Sequence, residues 1–166
     1  MKGRQVPKFD ELTFPDSGIT IQYRKVSPLL RDDLDAALRR QYPIPDPPMQ
    51  QIDTGFGDGR PQPNPLDPEY REQVAMWQIA HYNRLGDKML RVAIASYVVV
   101  EVDAEAVAAL RSQMGALGVE LDADDKYVYV SRICISSKTD QDYLGDALFK
   151  GSSPTRNEVE STKATF

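Results

Sequence analysis

The chain is 166 residues long, 41% hydrophobic and 27% charged, with a formal net charge of −5. That suits one globular domain with appendages, and the acidic balance argues against nucleic acid or an anionic membrane surface as a target, since both are bound through basic patches. No window approaches the roughly 18 consecutive apolar residues of a membrane span, and the first ten residues lack the apolar core of a signal peptide.

Cys134 is the single cysteine. No intramolecular disulfide can form, which points to a reducing, cytoplasmic compartment.

Residues 8–26 read as a β-hairpin. Phe14-Pro15-Asp16-Ser17-Gly18 is a turn signal, and Ile19, Ile21 and Tyr23 alternate onto one face after it. Ser27-Pro28 is a helix entry, a capping hydroxyl followed by proline at the first helical position. Leu30, Leu34, Ala37 and Leu38 then recur at helical spacing until Tyr42-Pro43 stops the run.

Residues 43–66 are rich in proline and glycine. They read either as a linker or as a proline-rich peptide in which Pro47, Pro48 and Met49 dock on a partner.

Asp67-Pro68-Glu69 opens the longest helix, expected to reach about Val98. Tyr70, Val74, Trp77, His81, Leu85, Met89 and Val92 share its apolar face. Tyr97–Val102 also admits a strand reading, because its branched residues favour extended backbone.

Asp103 caps the next helix, and Gly118 ends it. Residues 124–135 are ambiguous and lean towards helix. Thr139-Asp140-Gln141-Asp142 approximates a capping box for a helix over Tyr143–Lys150, and Ser153-Pro154 opens a last one towards Phe166.

The expected fold is therefore mainly α. It has an N-terminal β-hairpin with a short helix (1–42), a Pro/Gly-rich crossing segment (43–66), and a bundle of four or five helices (67–166).

The search for chemistry finds little. One His and one Cys exclude a His-rich metal cluster and a four-thiolate zinc site. Gly55-x-Gly57-x-Gly59 lacks the lysine-serine pair of a phosphate loop. Asp122, Asp124 and Asp125 read as an acidic helix start more readily than as a calcium site. No catalytic residue, metal or cofactor is expected. His81 reads as a core or interface histidine and Cys134 as a small apolar side chain.

What the chain offers instead is aromatic surface on an amphipathic helix. Trp77, with Tyr70 and Val74 on the same face, is the expected partner anchor if it does not fill the core.

The order of these pieces resembles the tail assembly chaperones of long-tailed bacteriophages. The likeness lies in Ser17–Pro28, in Pro47-Pro48-Met49 through Gly57-Asp58-Gly59 to Asn64–Tyr70, in Asn83-Arg84-Leu85, and in the closing stretch Gly151–Phe166. It implies a non-enzymatic helical protein of the infected host cytoplasm. Such a protein binds the tape measure protein, recruits tail tube subunits, and is often made in two lengths by frameshifting. A structural virion protein, such as a head-tail connector or tail completion protein, is the alternative.

Overall fold

The computed structural model describes residues 8–51 and 59–150. Of these, 57% are helical, so the fold is mainly α with a small N-terminal sheet. The chain forms two compact units: a central one, Arg31–Met89, and a terminal one built from the chain up to Leu30 and from Leu90 onward. The expected partition at residues 42 and 66 is not the one observed. Both division points fall inside helices, where no proline or glycine signal marks them.

In the terminal unit, β1 (Asp10–Thr13) and β2 (Thr20–Tyr23) form the expected hairpin, with Leu12 opposite Ile21. Gly18, at φ +70°, supplies the left-handed residue of the turn. The hairpin gains a third strand. The long helix α2 (Pro68–Tyr97) stops one residue before Val98, and Val98–Val99 become β5, pairing with Tyr23 and Gln22 of β2. Three strands bury a face that an isolated hairpin cannot. Phe14, Ile21 and Val98 pack there with Ile94, Val130, Cys134, Leu144 and Leu148 in one core.

Asp103 caps α3 (Ala104–Ala116) by accepting the Ala106 amide at 3.0 Å, and Gly118 follows in the left-handed region at φ +74°. Arg111 then fixes the acidic connection. It donates to the carbonyls of Leu121 at 2.5 Å and Ala123 at 2.6 Å, and pairs with Asp125 at 2.9 Å.

Residues 125–134 are helical, as expected, but in two forms. A single α turn, α4 (Asp125–Val128), runs into a π-helical segment (Tyr129–Cys134).

The last described helix, α5 (Lys138–Phe149), is capped by Ser137 rather than Thr139. Asp140 is free for another task. Its buried carboxylate accepts the amides of Asp16 at 2.9 Å and Ser17 at 3.2 Å, and the amide and hydroxyl of Ser136 at 3.0 and 2.8 Å. Burial alone would raise this carboxyl. The donors converging on it outweigh burial and hold it below the ordinary aspartate value. The hairpin turn is thereby tied to the start of α5.

In the central unit, α1 (Leu29–Gln41) supplies Asp35, Leu38 and Arg39 from the part of the helix beyond Leu30. The segment 43–66 is not linker throughout. β3 (Met49–Gln51) pairs antiparallel with β4 (Pro61–Pro63), Gln50 opposite Gln62. Prolines at both ends of β4 are tolerated because a two-stranded ladder leaves each strand an outer edge with no hydrogen-bonding partner. The glycines Gly55 and Gly57, and the closing helix expected after Ser153, lie outside the described residues.

Candidate functional site

Helix α2 brings the sequence-predicted anchors together, but turns them inward. Its start is set by Asp67, which accepts the Tyr70 amide at 2.9 Å and a hydrogen bond from the Gln50 side chain at 2.9 Å. These bonds lower the Asp67 pKa. Gln50 in turn accepts from the Asn64 side-chain amide at 2.7 Å, and the Asn64 backbone N–H donates to the Pro48 carbonyl at 2.9 Å. Pro47 and Pro48 are thus half-buried at the foot of the helix, whereas the Met49 side chain is exposed.

One turn on, the Tyr70 hydroxyl donates to the Pro45 carbonyl at 3.1 Å, and Val74 is half-buried. The Trp77 indole donates to the Tyr42 carbonyl at 3.0 Å and stacks on His81, with ring centroids 4.9 Å apart and planes 14° from parallel.

His81 is 1% exposed, and its Nε2 lies 2.6 Å from an Asp35 oxygen. The other Asp35 oxygen accepts from Arg39 at 2.7 Å, and the Arg39 guanidinium lies over the Trp77 ring at 5.4 Å. Hydrogen bonds from Arg39 and then His81 hold the Asp35 carboxyl below its ordinary value. Asp35, Arg39, Trp77 and His81 therefore form a closed cluster. The imidazole is closed off from solvent, and the cluster holds the central unit together.

Sequence spacing places Trp77 and His81 on one stripe but does not reveal Asp35, the partner of His81 from α1. The other candidates for chemistry are likewise engaged. Asp124 caps α4 through the Tyr127 amide at 2.9 Å, and Asp125 pairs with Arg111. Cys134 is buried, and burial pushes its thiol up to about 11. Among the described residues no three His, Cys, Asp or Glu side chains gather to hold a metal ion, and no helix is long and apolar enough to cross a membrane.

The surface that remains lies on the other side of α2. From Gln73 to Asn83 the chain holds no Asp, Glu, Lys or Arg. Within that run Met76, Ile79 and Tyr82 are spaced three apart, opposite the stripe that carries Val74, Trp77 and His81. They stand 62%, 58% and 63% exposed. Ala75 and Gly86 extend this outer face and are also exposed. A β-carbon built at Gly86 would meet nothing within 4 Å. A helix that is apolar on both sides is normally buried on both sides. Here the structure covers one.

No family model, curated protein or solved structure matches this chain.

Proposed function

We propose that this protein is a tail assembly chaperone of a long-tailed bacteriophage. It binds the tape measure protein and recruits tail tube subunits in the cytoplasm of the infected host. The observation that carries the proposal is the outer face of α2. An uncharged helical surface with Met76, Ile79 and Tyr82 exposed suits a helical, apolar client, because a flexible thioether adapts to irregular partners and an aromatic ring adds rigid contact area. The sequence resemblance supports the same role, and so does a mainly α fold opened by a β-hairpin. The net charge of −5 favours the solubility of such a complex through repulsion between copies.

The client face is thus Met76, Ile79 and Tyr82, not Tyr70, Val74 and Trp77, whose side chains serve the central unit. The test is co-expression of the tape measure protein with the triple variant Met76→Ser, Ile79→Ser, Tyr82→Ser. The variant should keep its melting temperature and lose co-purification at least about tenfold, as expected for central interface side chains. Full retention of the client by the folded variant would refute the assignment. Mass spectrometry showing the protein as a stoichiometric part of finished virions would favour a connector or completion protein instead.

A further inference from the structure

The terminal unit carries a second surface, on residues that the client face does not use. A groove of about 600 Å³ opens between the π-helical segment and α5. That volume is within the range of ligand-binding clefts. Leu90, Ile135, Leu144 and Phe149 give it an apolar lining, and Tyr127 adds an aromatic wall.

Three features shape this groove for a ligand. Gly145 stands in mid-α5 where alanine would support the helix better, and a β-carbon built on it would meet nothing within 4 Å. Open space lies over it. The facing wall is π-helical, a form that is rare and recurs at functional sites, and it brings Ser131 and Arg132 into the lining, with Ile135 just past its end. The charges, finally, differ in their commitments. Lys138 and Asp142 neutralise one another at 2.6 Å. Arg132 on the π-helical wall and Asp146 on the α5 wall have no ion-pair partner among the described residues.

We propose that this groove binds a peptide segment of a partner protein that carries a bulky apolar side chain beside a carboxylate. The side chain sits over Gly145, and the carboxylate pairs with Arg132. Asp146 sets the direction, since it repels the acid towards the π-helical wall. The site stands on other residues, in another unit, than the client face, and it holds whether or not the client face is rightly assigned.

N-acetyltryptophan and its uncharged amide, N-acetyltryptophanamide, present one indole with and without the carboxylate. Each is titrated into the full chain and followed by amide NMR. Both should shift the amides of Ser131, Arg132 and Gly145, with the acid roughly threefold tighter, the size of a partly exposed ion pair.

Arg132→Gln should remove the preference for the acid while both compounds still bind. Asp146→Asn should enlarge it. Gly145→Leu, which fills the groove with a better helix former, should abolish both titrations while the melting temperature holds or rises. If that variant does not fold, Gly145→Ala should weaken both while stabilising the helix. The proposal is overturned if neither compound shifts those amides, if a folded Gly145 variant binds as well as the natural chain, or if the acid preference survives Arg132→Gln.

Discussion

On its inner face, between Tyr70 and Leu85, α2 commits its side chains to the central unit. Tyr70 and Trp77 each donate to a backbone carbonyl, His81 meets Asp35, and Leu85 is buried. On its outer face Met76, Ile79 and Tyr82 are as apolar and as regularly spaced, yet more than half of each is exposed to solvent. The difference is not one of residue type. It lies in what α1, Tyr42 and the 43–66 segment bring to one side: an acid for the histidine, and the Pro45 and Tyr42 carbonyls for the phenol and indole. On the inner face the phenol and indole find carbonyls within the unit, whereas on the outer face the side chains of Met76, Ile79 and Tyr82 stay largely in solvent.

Truncation tests this contrast first where it should be largest. Trp77→Ala is expected to lower the stability of the folded chain by about 3 kcal/mol, the low end for tryptophan because the ring is half-buried. Urea unfolding measures it. A loss under about 0.5 kcal/mol would put Trp77 with the surface residues instead.

Asp35→Asn should come next, at about 1–2 kcal/mol, the scale of hydrogen bonds to a charged group reduced for partial exposure. Its pH signature is specific. Arg39 and His81 hold the Asp35 carboxyl below its ordinary value, so its contribution is complete above the unfolded value of about 3.9. It is lost as pH falls through the lowered folded value. The natural chain should therefore lose melting temperature more steeply than the variant below about pH 4. Parallel curves would show that the pair does not couple to folding.

The outer face should behave oppositely. Ile79→Ser is expected to change stability by no more than about 0.5 kcal/mol, as at an ordinary exposed position. Gly86→Ala should even stabilise by about 0.5–1 kcal/mol, since the glycine lies within a helix with open space around it. A destabilising alanine there would mean that this face is already packed.

What could be read from the sequence follows from how local each feature is. Asp67, Asp103 and Gly118 mark helix ends correctly, because a cap involves residues two or three apart. The β-hairpin is equally local. The strand at Val98–Val99 is not fully so: its branched residues admit a strand, but two residues become one only by pairing with β2. Nor is the Asp140 anchor, whose partner Asp16 lies 124 residues away, or the Asp35–His81 pair, 46 residues apart. The outer face is an intermediate case. Its spacing and lack of charge are plain in the sequence, but two apolar stripes on one helix look alike until burial separates them. The single tryptophan favours the inner one.

Photo-crosslinking from position 79 tests the proposed role most directly. With p-benzoylphenylalanine replacing Ile79 in the infected cell, irradiation during tail assembly should yield a covalent adduct with the tape measure protein. The same probe at Leu117, an exposed apolar position in the terminal unit, should yield none. An adduct at position 79 only with a second copy of this chain, or with the capsid or connector of finished particles, would contradict the chaperone assignment.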